Sequence, residues 1–187
     1  MLAIRDCVIG VGANLGERER TFSWTLEQLA KIGQLLALSN VYENPAVGGP
    51  PQPDYLNAAV RLRSALPPLG LLAAIQKIEQ LAGRERGVHW GPRTLDLDLL
   101  WIPDQIVALP RLQVPHPRVL ERPFALLPLV EVAPRATDPV TQLEYAAVLE
   151  SHRVDNLRLH CIAMGPPWNW QPVRSRTEGV QSTWIAE

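Results

Sequence analysis

The chain has 187 residues, 47% of them hydrophobic and 20% charged, with a formal net charge of −1. That length suits one domain with a substantial core, and the composition is that of an ordinary soluble globular protein, which excludes a disordered or fibrous chain. So small a net charge supplies no global field for nucleic acid or a membrane surface, so affinity for an anion must come from local clustering.

Cys7-Val8-Ile9-Gly10-Val11-Gly12 reads as a short buried strand running into a glycine turn. Gly-x-Gly alone is a weak phosphate-loop signal, and here the third glycine and the later acidic residue are misplaced. Phe22, Leu26, Leu29 and Ile32 recur at helical spacing over residues 18–32, with Gly33 as the stop. A second strand is expected from Leu35 to Tyr42. Residues 43–53 contain four of the eighteen prolines and Gly48-Gly49, which demands a loop. Tyr55 and Asn57 then stand two apart at the start of a strand and face the same way. They suit either a core tyrosine with a turn asparagine, or a flat heterocycle that needs a stacking surface and an amide at its edge. Pro67-Pro68 opens a second helix, with Leu71, Leu72, Ile75 and Ile78 as its stripe and Gly83 as its end.

Next comes Arg84-Glu85-Arg86, then His89-Trp90-Gly91-Pro92-Arg93-Thr94-Leu95-Asp96-Leu97-Asp98-Leu99-Leu100. The alternation from Leu95 onward predicts a half-buried strand with Asp96 and Asp98 on one face, their α-carbons about 6.6 Å apart. Two ionised carboxylates so placed repel, and a hard cation such as Mg²⁺ would relieve them; an isolated Asp-x-Asp serves equally as a solvated strand face. The Gly91-Pro92 turn and the cationic fork of Arg93 tip the balance toward a nucleoside triphosphate site. Pro103-Asp104 makes a turn, after which Ile106–Leu109 is expected to return as a hairpin partner. A helix is expected over residues 141–150 and a last strand over 157–164. Cys7 and Cys161 lie in expected strands and read as buried free thiols. A domain over residues 1–165 is thus followed by a tail, 166–187, with Trp168, Trp170 and Trp184 but little periodicity. With no leader and no long apolar run, the chain is expected in the cytoplasm. Only Lys31 and Lys77 of its 18 basic residues are lysines. Arginine dominance suits phosphate, though genomic base composition produces it too.

The segment from Arg84 to Leu100 resembles the signature of the 6-hydroxymethyl-7,8-dihydropterin pyrophosphokinases of folate synthesis. Other segments similar to this family follow in order. They are Gly12-Ala13-Asn14-Leu15, with alanine where the family has serine, Gln52 to Val60, Arg111 to Pro117, and Arg122-Pro123-Phe124. Together they span about residues 9–134. The resemblance implies a single α+β domain with a ferredoxin-like core, an antiparallel sheet flanked by helices. It implies transfer of pyrophosphate from ATP to the hydroxymethyl group of the dihydropterin, with release of AMP, by a monomer that binds neither nucleic acid nor membrane.

Residue by residue, the resemblance implies two Mg²⁺ on Asp96 and Asp98, with Arg84 and Arg93 beside them as catalytic groups. ATP contacts are implied at Gln76, Glu79, Arg84, Arg86, Trp90, Arg93, Leu99, Arg111, Leu112, Gln113, His116 and Arg122. Pterin contacts are implied at Asn44, Pro45, Val47, Tyr55, Asn57, Trp90 and Phe124, with Tyr55 and Phe124 stacking on the ring. Only Gly87, Val88 and His89 separate Arg86 from Trp90, a shorter loop than some members carry. Two other readings use the same features. A two-metal nucleotidyltransferase would also carry Asp-x-Asp on a strand, but would leave AMP on its acceptor. A ferredoxin-like RNA-binding module would expose aromatics and arginines, yet Asp96 and Asp98 would repel a phosphate backbone.

Overall fold

A computed structural model describes residues 4–84, 91–152 and 160–162. Arg86 and Trp90, the short loop around His89, and the tail lie outside the described residues. β1 (Arg5–Ala13), α1 (Arg18–Leu29), β2 (Gln34–Leu38), β3 (Val41–Asn44), β4 (Tyr55–Ser64), α2 (Pro68–Leu81) and β5 (Asp96–Trp101) follow one another. After them come β6 (Val107–Leu109), β7 (Leu112–Val114), a 3₁₀ turn over Val119–Glu121, α3 (Pro123–Val132), α4 (Tyr145–Ser151) and β8 (His160–Ile162). The main sheet is antiparallel, in the order β5-β1-β4-β3-β8, with β2 also on β4. α1 and α2 make the two crossovers, so the architecture is a single α+β domain of the ferredoxin-like kind.

Strand alternation assigns each face its work. Cys7, Ile9 and Val11 of β1, Leu56, Ala58 and Val60 of β4, and Leu97 and Leu99 of β5 meet Phe22, Leu26 and Leu29 of α1 and Leu71, Ile75 and Ile78 of α2. On the other face Val8, Ala59 and Leu100 are covered by Leu126 and Leu129 of α3 and Tyr145 and Leu149 of α4. That cover reaches only part of the sheet. Gly10, Gly12, Asn57, Asp96 and Asp98 share the same face beyond it, and there a cleft opens.

Several expectations require correction. Gly10 and Gly12 lie within β1 instead of forming a turn; the chain turns at Gly16, where φ is +67°. The strand expected over 35–42 is two strands broken at Ser39-Asn40. The Ser39 hydroxyl accepts the Ala59 N–H at 2.8 Å and fills the gap in the ladder. Val107–Leu109 pairs with Leu112–Val114, not with β5. α4 begins at Tyr145, because Asp138 captures the Val140 and Thr141 N–H groups and holds 138–141 in a turn. Cys7 is buried as expected, but Cys161 is exposed.

α3 carries no amphipathic period. Phe124, Ala125, Leu126, Leu127, Leu129 and Val130 surround it with apolar side chains, and Pro128 sits inside it. Such a helix is recognised only by what it packs against. Its exposed Glu131 is fastened to the β2–β3 corner, accepting the Asn40 backbone N–H at 2.8 Å, the Asn40 side-chain N–H at 2.9 Å and the Tyr42 hydroxyl. Glu131→Ala should therefore cost about 1–2 kcal/mol in chemical denaturation, since three partners lose a charged acceptor but two remain open to water. A midpoint equal to that of the unaltered protein would show that apolar burial alone holds α3.

Candidate active site

The floor of the cleft is glycine backbone. Gly12 lies between Asp96 on β5 and Asn57 on β4, and Gly10 pairs with Asp98 and Ala59. A Cβ on Gly12 would come within 3.3 Å of the Asn57 side-chain oxygen, and one on Gly10 within 3.2 Å of Leu100. Any other residue would fill the space beside the carboxylates. The cleft encloses about 290 Å³, and Asp96, Asp98, Arg93, His116, Arg122, Tyr55, Asn57, Asn44, Val47 and Phe124 all line it. Residues from β3, β4, β5 and the start of α3 thus converge as the motifs imply.

The charges are distributed unevenly. Asp96 Oδ1 accepts a hydrogen bond from Arg93 at 2.7 Å and forms an ion pair with Arg84 at 2.8 Å. Arg84 also pairs with Glu79, whose Oε1 accepts the Leu97 N–H at 2.7 Å. Glu79 is buried behind β5, and burial pushes its carboxyl up to about 7 against the pull of that N–H and of Arg84. Asp98 has no arginine ion pair among the described residues; the His116 imidazole stands 4.0 Å away, and Arg122, Arg93 and Arg84 act on it only from beyond ion-pair distance. Desolvation and the charge of Asp96 push Asp98 up to about 6. Burial and Arg122 bring His116 down to about 4, so its ring is neutral at pH 7. Its Nδ1 accepts the Arg118 N–H at 3.2 Å, which places the proton on Nε2, the nitrogen nearer Asp98.

The other end of the cleft is aromatic and amide. The Tyr55 hydroxyl donates to the Gly91 carbonyl at 3.2 Å, tying the ring to the turn before Arg93. Asn57 donates to Asn44 Oδ1 at 2.7 Å, and Asn44 donates to the Pro45 carbonyl at 2.8 Å. Val47, 70% exposed, stands at the rim. Arg122 caps α3 and Phe124 occupies its first turn, with the guanidinium 6.0 Å from the ring centroid.

Not every residue implied by resemblance lines the cleft. Gln76, Arg111 and Gln113 are exposed and outside the lining, Pro45 is exposed between the lining residues Asn44 and Ala46, and Leu112 and Leu99 are buried, Leu99 on the face packed against α1 and α2. Arg84 and Glu79 reach the site through Asp96 and the backbone of β5. Sequence reasoning overlooked Gly10 and Gly12 as the floor, although their alternation with Ile9 and Val11 carried that signal. It also passed over Asn14 and Gln52 individually, although both lie in quoted segments.

Carboxylates beside arginines at one end and rings with amides at the other define an enzyme cleft suited to group transfer between a polyphosphate and a flat heterocycle. Comparison with known proteins agrees. The 7,8-dihydro-6-hydroxymethylpterin-pyrophosphokinase (HPPK) family matches residues 8–134. The 2-amino-4-hydroxy-6-hydroxymethyldihydropteridine pyrophosphokinase of Synechocystis is 43% identical over 134 residues, 71% of this chain and 68% of its own. The Pseudomonas aeruginosa enzyme of the same name is 39% identical over 133 residues, 70% of this chain and 82% of its own. Wild-type Plasmodium falciparum HPPK-DHPS with pteroate superposes with a TM-score of 0.65 at 14% identity, over 82% of this chain and 43% of that longer one, which is a likeness of fold. The chain belongs to the 7,8-dihydro-6-hydroxymethylpterin-pyrophosphokinase family.

Glu79 yields a test of the electrostatics. Its folded value near 7 lies above the ordinary carboxylate value, so at pH 6.5 the folded state holds a proton that the unfolded state has released. Stability from this group is therefore lost as pH rises through 7. His116 acts in the opposite sense below about pH 7.5, where the unfolded imidazole begins to charge, and does so equally in a Glu79→Gln variant. In metal-free buffer, Glu79→Gln should flatten the fall in stability between pH 6.5 and 8 seen in the unaltered protein. Parallel pH profiles for the two proteins would show that Glu79 is already ionised at pH 6.5.

Proposed function

We infer that the chain transfers pyrophosphate from ATP to the 6-hydroxymethyl oxygen of 6-hydroxymethyl-7,8-dihydropterin, releasing AMP, as a step of folate biosynthesis. The observation that carries this reading is the placement of Asp96 and Asp98 on one face of β5, between two arginines and a cleft lined by Tyr55 and Phe124. The donor set fits magnesium. Among the described residues no group of three or more histidines, cysteines, aspartates or glutamates gathers. Two carboxylates suffice for an ion that keeps several waters and takes phosphate oxygens as its other ligands. Asp96 and Asp98 would hold two such ions, which when bound draw charge from the phosphates and acidify the attacking hydroxyl.

The protein's own groups do the rest. The hydroxymethyl oxygen attacks the β-phosphorus in line, the bond from that phosphorus to the α–β bridging oxygen breaks, and AMP leaves with that oxygen. Charge spreads over the transferred group, so stabilisation is mainly positioning and electrostatics. In this reading Arg84 and Arg93, which stand on Asp96 in the structure, would donate to the transferred group. Arg122 and the Nε2–H of His116 meet the outer phosphates as donors. His116 cannot take the hydroxyl proton at Nε2, which already carries one, and no other side chain is assigned as a base; the proton goes to water. Tyr55 and Phe124 hold the pterin ring, and Asn57 with Asn44 reads its edge.

The reading places a monomer in the cytoplasm; no described helix is long and apolar enough to cross a membrane. No observation favours transfer of the nucleotidyl group instead.

Asp96→Asn and Asp98→Asn should each lower turnover by at least about a hundredfold, two to three kcal/mol of transition-state stabilisation, while both proteins stay folded. In metal-free buffer Asp98→Asn should be at least as stable as the unaltered protein, because a repelled carboxylate has been removed. Near-normal AMP formation by either variant would refute the metal assignment. Calorimetry separates the two ends of the cleft. Tyr55→Ala and Phe124→Ala should weaken pterin binding about threefold to tenfold, given ring contacts worth about 0.5–1.5 kcal/mol beyond burial, and leave ATP binding unchanged. Equal losses for both ligands would deny the rings a stacking role.

A further inference from the structure

Asn14 follows the last residue of β1 and is 2% exposed, yet it touches no part of the reaction described above. Its carboxamide is fully engaged. Nδ2 donates to the Gln52 side-chain oxygen and to the Pro53 carbonyl, both at 3.0 Å, and Oδ1 accepts the Arg93 N–H at 2.7 Å. The Arg93 carbonyl in turn accepts the Asn14 and Leu15 N–H groups at 3.0 and 3.2 Å. Three segments distant in sequence therefore meet on one side chain. A carboxamide is suited to this because it donates twice and accepts at the same short reach; a carboxylate only accepts, and a hydroxyl donates once.

The joined segments carry different halves of the site. Residues 45–54 form the rim of the pterin end, where Gln52 lines the cleft and donates to the Gly48 carbonyl at 3.3 Å. Arg93 stands at the phosphate end, on Asp96. We propose that Asn14 is a positioning residue that couples the two ends, so that ordering of the 45–54 loop over pterin is transmitted to the backbone of Arg93 and hence to the phosphate clamp. The bond from Tyr55 to Gly91 runs alongside and reinforces the link. The proposal rests on the assignment of pterin to the Tyr55 end.

The test compares the unaltered protein with Asn14→Ala, Asn14→Asp and Tyr55→Ala at pH 8. Calorimetry gives pterin affinity alone and with Mg²⁺ and a non-hydrolysable ATP analogue, and amide exchange follows the Arg93 N–H. In the unaltered protein pterin alone should slow exchange at Arg93. Asn14→Ala should expose that amide and reduce the mutual enhancement of the two ligands by roughly tenfold, the effect of losing a buried hydrogen-bonded partner. Asn14→Asp should keep the amide protected but lose the enhancement. Gln52 can rotate its amide to meet a carboxylate, whereas the Pro53 carbonyl can only be repelled. If Tyr55→Ala leaves pterin affinity unchanged, the site assignment itself is wrong. If Tyr55→Ala weakens pterin but both Asn14 variants keep the full enhancement, or lose affinity for both ligands equally with the enhancement intact, the coupling role is overturned. Should either variant fail to fold, unchanged exchange at Arg93 on adding pterin to the unaltered protein overturns it equally.

Discussion

Two carboxylates on one face of one strand cannot be left alone. Asp96 and Asp98 are separated by a single leucine whose side chain serves the core, so neither can turn away without dismantling β5. The chain meets this constraint with arginine. Arg84 and Arg93 gather on Asp96, while Asp98, with no arginine ion pair among the described residues, has its carboxyl raised to about 6 by burial and the charge of Asp96. A divalent cation would relieve that imbalance and would leave two guanidinium groups available to phosphates in the proposed reaction. In the proposed reaction structural neutralisation and catalysis would draw on the same arginines.

The sheet makes room for this arrangement by treating its two faces differently. One is fully covered by α1 and α2, and its dense apolar packing fixes the register of β1, β4 and β5. The other is covered by α3 and α4 around Val8, Ala59, Leu100 and Trp101 and is open beyond them. Where the cover stops, α3 begins, so its first turn delivers Arg122 and Phe124 to the edge of the open floor. Gly10 and Gly12 keep that floor low. A rigid face holds the geometry, and an incomplete face supplies the cleft.

Much of this was legible in residue order. The period of two from Leu95 to Leu99 placed the aspartates correctly, and the spacing of Tyr55 and Asn57 put both on the cleft side of β4. α1 and α2 were legible because one side of each is wetted, which imprints a helical period. α3 was not, since apolar residues surround it and erase the period, and Pro128 argues locally against any helix. The break at Ser39-Asn40 escaped notice because it depends on a hydroxyl standing in for a ladder partner at Ala59, a contact twenty residues away in the chain. The hub at Asn14 escaped for a related reason. A short polar residue at a strand end looks like turn material until its distant partners at Gln52, Pro53 and Arg93 are seen.

In the proposed reaction the carboxylate pair requires a cation before polyphosphate can enter. The most direct measurement is the affinity of the unaltered protein for ATP by calorimetry, in Mg²⁺ and again in EDTA. Without metal, Asp96 and Asp98 face the phosphates bare and hold Arg84 and Arg93 back, so affinity should fall by at least about tenfold, the equivalent of 1.4 kcal/mol. ATP binding as tight in EDTA as in Mg²⁺ would contradict the account, because the phosphates would then lie away from the pair on β5.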